Sequence, residues 1–161
     1  MADEPVTSSE ADRRFLDLAF AEAEAAYARG EVPIGAVLVV AETGEALARA
    51  GNRTEVDADP TAHAEVLAIR AAGVLRGRPR LPDCDLYVTL EPCAMCAAAI
   101  SFARIRRLVY AASDPKMGGI AHGGRFFTQP TCHHRPVVVG PVPGHADRSA
   151  DLLRRFFRER R

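Results

Sequence analysis

Long apolar runs are absent from this sequence of 161 residues. No stretch comes near the roughly 18 consecutive apolar residues that would indicate a membrane-spanning helix. The segment Met1-Ala-Asp-Glu-Pro is acidic and lacks the apolar region of a secretory signal. We therefore expect a cytoplasmic protein with no membrane span.

Cysteine is scarce, with only four residues in the chain. Disulfides are rare in a reducing cytosol, so these thiols are expected to be free. Cys93 and Cys96 have the C-x-x-C spacing of metal ligands. Cys84 and Cys132 have no partner at such a spacing, and we interpret them as small core or surface thiols.

Net charge is also lacking, because 21 basic and 21 acidic residues cancel, and Lys116 is the only lysine. The charges are nevertheless separated along the chain. Residues 1–66 hold 14 acids and 5 bases, whereas residues 67–161 hold 7 acids and 16 bases. The basic half indicates an anionic partner for one face, and the alternative is an ordinary solvated surface.

Two short stretches, thirty residues apart, carry the metal chemistry. The first is His63-x-Glu65, and the second is Pro92-Cys93-x-x-Cys96. One imidazole and two thiolates supply three zinc ligands and leave the fourth position to water. Because Glu65 is not needed as a ligand, its carboxylate is free to move protons. The compound pattern is the signature of zinc-dependent nucleobase deaminases.

The spacing of His63 and Glu65 also predicts where the metal lies. Residues two apart are separated by roughly 200° around a helix, so both cannot face a metal at its side. We therefore place the zinc beyond the N-terminal end of the helix, with the helix N-termini that carry the two motifs facing each other across it. The alternative is a structural four-ligand site completed from Cys132, His133 or His134.

An open zinc site predicts a hydrolytic reaction. The metal lowers the pKa of its bound water, and the resulting hydroxide attacks a ring carbon that bears an amino group. Glu65 takes the proton from the water and passes it to the ring nitrogen before ammonia leaves.

The chain is expected to form one domain, residues 1–161, of the α/β class: a three-layer α/β/α sandwich with a five-stranded mixed sheet. Residues 1–9 are expected to be disordered and 113–135 to form an irregular connection. Predicted helices span about 10–29, 62–72, 93–102 and 146–160. Predicted strands span about 34–40, 45–50, 85–90, 107–112 and 136–139.

Further stretches, spread over about residues 14–161, resemble the bacterial tRNA-specific adenosine deaminases, which have a cytidine-deaminase-like fold. The stretches are Glu31-Val-Pro-Ile-Gly-Ala-Val, Gly51-Asn-Arg, Asp59-Pro-Thr-Ala-His-Ala-Glu65, Leu86-Tyr-Val-Thr-Leu-Glu-Pro-Cys-Ala-Met-Cys96, Arg104-Ile, Asp114-Pro-Lys-Met-Gly118, His134-Arg135 and the closing Leu152-Leu-Arg-Arg-Phe-Phe-Arg-Glu-Arg-Arg161.

The resemblance implies a function and a set of residue roles. The reaction would convert adenosine to inosine at the wobble position of a tRNA anticodon, in a homodimer with one zinc ion per subunit. His63, Cys93 and Cys96 would bind zinc, and Glu65 would shuttle protons. The expected substrate-binding residues are Asn52, Val32, Pro33, Asp114 and Lys116, and the expected RNA-facing residues of the last helix are Arg154, Arg155, Arg158 and Phe156.

Two alternatives to this function remain open from the sequence. A deaminase of a free nucleobase or nucleoside, of the guanine or cytosine type, would share the zinc motif and its mechanism. A zinc-stabilised RNA-binding module without turnover is the third possibility. Glu65 argues against the module, because a structural zinc site has no use for a free carboxylate.

Overall fold

The computed structural model describes residues 6–160, which contain four α-helices and five strands. Within that part of the chain, no helix is long and apolar enough to cross a membrane. A short 3₁₀ helix, Phe126–Thr128, interrupts the connection after the fourth strand. The elements are α1 (Glu10–Ala28), β1 (Gly35–Val40), β2 (Ala46–Gly51), α2 (Ala64–Arg76), β3 (Cys84–Leu90), α3 (Ala94–Phe102), β4 (Arg107–Ala112), β5 (Val137–Val139) and α4 (His145–Arg158).

The five strands form one mixed sheet in the order β2-β1-β3-β4-β5. Strand β1 is antiparallel to both β2 and β3, whereas β3, β4 and β5 run parallel to one another. The parallel pair β3–β4 is joined by a crossover through α3, and the parallel pair β4–β5 by the long connection that contains the 3₁₀ helix. The predicted α/β class and the five-stranded mixed sheet are confirmed.

The side chains of β1 divide the core into two layers. Ala36 and Leu38 belong to the core cluster that contains α2 and α3, and Val37 and Val39 belong to the cluster that contains α1 and α4. All six residues of β1 are buried, as expected for a strand covered on both faces. The helices thus lie on opposite faces of the sheet, as the sandwich predicts.

Glycine allows α1 to lie unusually close to the sheet. A Cβ atom at Gly35 would come within 1.9 Å of the Ala19 carbonyl oxygen. No side chain could occupy that space without moving the helix. The absence of a side chain at Gly35 therefore allows α1 to pack directly against the first residue of β1.

The first helix begins with a capping box, in which Ser9 and Asp12 exchange hydrogen bonds between side chain and backbone. Of the segment 1–9 that was expected to be disordered, residues 1–5 lie outside the described residues, and Ser9 is held by this box. Asp12 is buried and also receives hydrogen bonds from Arg107 and Tyr87. The start of α1 is thereby tied to β3 and β4.

Two helices have boundaries that differ from the sequence prediction. Helix α2 begins at Ala64, after the predicted start, and continues to Arg76, where Gly77 ends it in a left-handed conformation. The prediction ended the helix near Gly73, but this glycine is accommodated inside the helix. The C-terminal helix, predicted for 146–160, spans His145–Arg158.

Candidate metal and substrate site

The metal-ligand candidates lie at the N-termini of two helices. His63 is the N-cap residue of α2, and Cys93 is the N-cap residue of α3, with Cys96 in the first turn. The Nδ1 atom of His63 lies 3.6 Å from Sγ of Cys93 and 3.5 Å from Sγ of Cys96. Helix N-termini carry free N–H groups and a partial positive charge, which favour thiolates. The predicted arrangement of two helix ends around one site is confirmed.

The chemistry of this donor set fits zinc. One imidazole nitrogen and two sulfurs all lie within 4.8 Å of one another, as three ligands of a single tetrahedral ion would. Across residues 6–160, no further His, Cys, Asp or Glu joins this group. Three ligands leave one coordination position for water, which is typical of catalytic zinc sites.

The structural four-ligand alternative is wrong, because none of its extra donors, Cys132, His133 and His134, joins the group of His63, Cys93 and Cys96. Cys132 donates to the His134 carbonyl oxygen at 3.2 Å, and Nε2 of His134 lies 2.7 Å from the Ile105 carbonyl oxygen. These contacts fasten the end of the 113–135 connection to the region after α3, away from His63.

The local contacts perturb the pKa values of the ligand groups. The hydrogen bond from Cys96 is the main reason that the pKa of Cys93 falls to about 4, and His63 contributes to the same lowering. The pKa of Cys96 is raised, because its thiol donates to Cys93 and is buried. The pKa of His63 is raised chiefly by its hydrogen bond with Cys93. A thiolate is thus already favoured at Cys93, and thiolates are the form that binds metal.

Glu65 lies in the first turn of α2, directly beside the ligand group. Its side chain is buried, with 3% of the residue exposed, and burial raises its pKa to about 7. A carboxyl group with a pKa near neutrality can both accept and return a proton at physiological pH. Glu65 therefore has the properties of a general acid/base.

A cavity of about 620 Å³ is lined by His63, Cys93 and Glu65 and is open to solvent on one side. Cavities of a few hundred Å³ are typical of small-molecule sites. Most of the remaining lining is apolar, and the polar groups are few. The other lining residues are Val32, Ile34, Asn52, Thr54, Leu90, Glu91, Ala112, Ser113, Asp114, Lys116, Met117, Ala150, Leu153 and Phe157.

The oxygen and nitrogen of the Asn52 side-chain amide have different surroundings at the cavity. Its Oδ1 accepts a hydrogen bond from the backbone N–H of Ala64 at 2.9 Å, at the first residue of α2. Its Nδ2 group makes no hydrogen bond within residues 6–160, and Asn52 lines the cavity. The amide therefore leaves two donor hydrogens free at the cavity.

Two predicted residue roles require correction. Pro33 does not line the cavity, because it is buried at the centre of a three-residue turn closed by the Ile34 N–H and the Val32 carbonyl oxygen at 2.8 Å. Phe156 does not face RNA, because it is 4% exposed and its ring meets Tyr27 edge to face at 5.6 Å. Phe157 is 50% exposed and lines the cavity instead.

Several lining residues were missed by the sequence interpretation. Ala150, Leu153 and Phe157 form a stripe at helical spacing on α4, a pattern that alone indicates only a packed face. Glu91 lies within the zinc motif, but no spacing rule marked it as part of the cavity. The sheet order brings these segments together at the ends of β3 and β4, where ligands of α/β proteins bind.

The arginines of α4 lie on another side of the same helix. Arg154, Arg155 and Arg158 line a second concave surface, which α1 closes through Glu24. Arg154 pairs with Asp151, and the Arg155 guanidinium lies 4.6 Å from the centre of the Tyr27 ring. For Arg158, no salt bridge is found within the described part of the chain.

Comparisons with known proteins agree with this geometry. Residues 9–112 match the family model described as the cytidine and deoxycytidylate deaminase zinc-binding region. A tRNA-specific adenosine deaminase of Agrobacterium fabrum is 58% identical over 147 residues, covering 91% of this chain and 94% of that protein.

Two solved structures extend the comparison. A chain from a study of A-to-I editing by tRNA:A34 deaminases at the wobble position of transfer RNA superposes with a TM-score of 0.82 at 57% identity, covering 88% of this chain and 99% of that chain. A guanine deaminase from Bacillus subtilis reaches a TM-score of 0.60 at 42% identity, covering 63% and 64%. The chain therefore belongs to the zinc-binding cytidine and deoxycytidylate deaminase family and, within it, to the tRNA-specific adenosine deaminases.

Proposed function

We propose that this protein hydrolytically deaminates adenosine to inosine at the wobble position of a tRNA anticodon. The observation that carries the proposal is the buried Glu65 carboxyl beside a three-ligand metal group, at one end of a cavity of about 620 Å³. The identity of the base is supported by the tRNA-specific adenosine deaminases, which match nearly the whole chain.

The residues of the site have separate chemical roles. His63, Cys93 and Cys96 would hold a zinc ion, which would supply a Lewis acid able to make a water molecule acidic enough to ionise near neutral pH. Glu65 accepts the proton of that water and returns it to the purine N1, and then assists the departure of ammonia. The pKa of about 7 at Glu65 suits both directions of transfer.

The residues that line the cavity bind and orient the base. The Nδ2 group of Asn52 donates to an acceptor on the purine, and the apolar side chains of Val32 and Ile34 pack against the ring. Apolar side chains around the base lower the local dielectric, which strengthens the polar contacts beside them. A nucleotide must leave its base stack to enter, as in other deaminases of nucleic acids.

Deamination of a free nucleobase is the second candidate, because the zinc motif and Glu65 would serve it equally. The structural similarity to the Bacillus subtilis guanine deaminase is narrower, since it covers 63% of this chain compared with 88% for the chain from the tRNA:A34 deaminase study. The arginines of α4, on the side of the helix next to its cavity-facing residues, also favour an RNA substrate.

We further propose a homodimer. On the layer formed by α2 and α3, the apolar side chains of Val74, Leu75 and Phe102 are exposed. A shallow groove lies on the same layer, lined mainly by α2. Exposed apolar surface of this kind supports association of two copies. We also propose a cytoplasmic location, which the similarity to tRNA-specific adenosine deaminases supports.

The test compares substrates at equal enzyme concentration. The purified zinc-loaded protein is incubated with an anticodon stem-loop that carries adenosine at the wobble position, the same stem-loop with guanosine there, free adenosine, guanine and cytosine. We expect inosine in the adenosine stem-loop alone. Faster turnover of a free base than of the stem-loop would refute the proposal.

A further inference from the structure

Glu91 is buried at the point where β3 ends and the zinc motif begins. Its side chain is fully inaccessible to solvent, although glutamate is almost never fully buried without partners. The backbone N–H of Glu91 donates to the Ala112 carbonyl oxygen at 2.8 Å, which holds it against the end of β4. The residue is thus fixed between the metal-ligand helix and the connection that follows β4.

Five donors, all from residues 114–122, converge on the two oxygens of this carboxylate. Oε1 accepts the consecutive backbone N–H groups of Ile120, Ala121 and His122 at 3.1, 2.8 and 3.1 Å. Oε2 accepts the backbone N–H of Asp114 at 2.9 Å and lies 2.8 Å from Nδ1 of His122. Consecutive N–H groups around one anionic oxygen form a nest, and hydrogen bonds to a charged acceptor are roughly twice as strong as neutral ones.

The segment held by this carboxylate forms one wall of the substrate cavity. Asp114, Lys116 and Met117 all line it. Oδ1 of Asp114 accepts the backbone N–H groups of Lys116 and Met117, both at 3.1 Å, so the turn that presents these two side chains starts at the residue held by Glu91.

A glycine is required where the segment crosses the carboxylate. A Cβ atom at Gly118 would come within 2.5 Å of the Glu91 carboxyl group and 2.4 Å of the Asp114 carbonyl oxygen. The close approach leaves space for no side chain. The cavity wall, Gly118 and the Glu91 carboxylate are therefore packed closely against one another.

We propose that Glu91 is a positioning residue that holds the 114–122 segment in place as the substrate wall of the active-site cavity. This inference rests on the proposed function of the same site. Both oxygens of Glu91 are occupied by donors from one segment, which leaves no free lone pair directed at the metal group or at a reacting atom. The residue acts on the fit of the substrate and leaves the proton transfer to Glu65.

The substitution Glu91→Gln tests this role, because an amide keeps one acceptor oxygen and replaces the other with a donor. If the amide oxygen of the variant accepts the three backbone N–H groups of residues 120–122, its NH₂ group must face the backbone N–H of Asp114. Two donors then face each other, and the hydrogen bond to Asp114 is lost. We expect KM for the anticodon stem-loop to rise about tenfold while kcat stays within about twofold. Zinc content should equal that of the wild-type protein.

A second readout does not depend on activity. In the variant, hydrogen exchange should accelerate at the amides of residues 114 and 120–122 and stay unchanged in β1 and β3. Unchanged exchange at these four amides would overturn the inference, whether or not the wild-type enzyme deaminates the stem-loop. Failure of the wild-type enzyme on the stem-loop would instead overturn the proposed function.

Two further variants separate positioning from general destabilisation. Asp12→Asn makes the same chemical change at another buried, multiply bonded carboxylate that lies outside the cavity. We expect it to lower Tm and leave KM unchanged; an equal rise of KM would overturn the inference.

His122→Ala removes one of the five donors, so KM should rise by a smaller factor, even if Glu91→Gln fails to fold. A loss of kcat or of zinc in His122→Ala, with KM unchanged, would also overturn it.

Discussion

The Asn52 side-chain oxygen lies 2.9 Å from the backbone nitrogen of Ala64, so the residue after β2 also holds the first turn of the helix that carries Glu65. One amide thus connects the wall of the cavity with the position of Glu65. The contact uses the oxygen of the amide and leaves the NH₂ group free. These two tasks can be separated by mutation.

Asn52→Asp should abolish the substrate contact and keep the structural one. The aspartate still accepts the Ala64 N–H, but it has no NH₂ donors. We expect kcat/KM for the stem-loop to fall by about 10²-fold, the scale of two lost donors at a buried site. Asn52→Ala is the control, since it also leaves the Ala64 N–H without its partner and should cost about 1–3 kcal/mol of stability. If Asn52→Asp deaminates like the wild type, Asn52 does not bind the base.

The raised pKa of Glu65 predicts a pH-dependent stability in the zinc-free protein. Its folded pKa of about 7 exceeds the reference value of 4.5, so protonation favours the folded state. This contribution is complete below pH 4.5 and is lost as the pH rises through about 7.

Glu65→Gln should therefore stabilise the zinc-free protein at pH 8 relative to the wild type, by up to about 3 kcal/mol. Below pH 4.5 the two should converge. Urea unfolding of chelator-treated protein at both pH values provides the measurement. The zinc-loaded variant should keep its metal and lose about 10²–10⁴-fold in kcat. Loss of zinc from this variant would identify Glu65 as a ligand.

The ion pair of Asp12 and Arg107 predicts the opposite pH trend. Burial raises the pKa of Asp12, but the hydrogen bonds from Arg107, Ser9 and Tyr87 outweigh it and lower the pKa to about 2. The resulting stabilisation is present above the reference pKa of 3.8 and is lost as the pH falls through about 2. Asp12→Asn should cost about 2 kcal/mol at pH 7, and the difference from the wild type should shrink below pH 4. A difference that stays constant down to pH 2 would contradict this assignment.

The adjacent phenylalanines of α4 should respond differently to truncation. Phe156 is buried against Tyr27, so Phe156→Ala should lower the free energy of unfolding by about 3–5 kcal/mol. Phe157 is half exposed at the cavity, so Phe157→Ala should change stability by less than about 0.5 kcal/mol and raise KM. Denaturant melts and steady-state kinetics on the same preparations distinguish the two. A reversed pattern would mean that the helix is rotated relative to this structure.

The arginines of α4 should contribute to the salt dependence of RNA binding. Each phosphate contact to a single strand adds about 0.7 to the slope of log K against log salt concentration. Replacing Arg154, Arg155 and Arg158 with glutamine should reduce the slope by up to about 2 and weaken binding. Titrations of the stem-loop at several salt concentrations measure it.

A charge-matched variant controls for net charge. Arg76, Arg78 and Arg80 lie at and beyond the C-terminal end of α2, roughly 20 Å along the helix axis from His63 at its start. Their replacement with glutamine removes the same charge and should leave the slope nearly unchanged. Equal effects of the two triple variants would assign the α4 arginines to general surface charge.

The metal chemistry was predictable from the sequence because it depends on residue type and short spacing. The C-x-x-C step places Cys93 and Cys96 on one end of a helix, and the two-residue step from His63 to Glu65 requires a metal beyond the helix N-terminus. The strands were predictable for a similar local reason, since β1 is an apolar run of strand length buried on both faces.

The walls of the cavity were decided by tertiary structure, because their residues are distant in the chain and their types are ordinary. Phe156 and Phe157 are identical in sequence terms, and only the rotation of α4 against α1 buries one and exposes the other. Pro33 and Val32 differ only through a turn whose geometry no motif marks. Glu91 acquires its partners from a segment more than twenty residues later, which the pairing of β3 with β4 brings beside it. The sequence by itself determined the candidate zinc ligands and the carboxylate beside them, and the packing of sheet and helices decided which residues line the cavity.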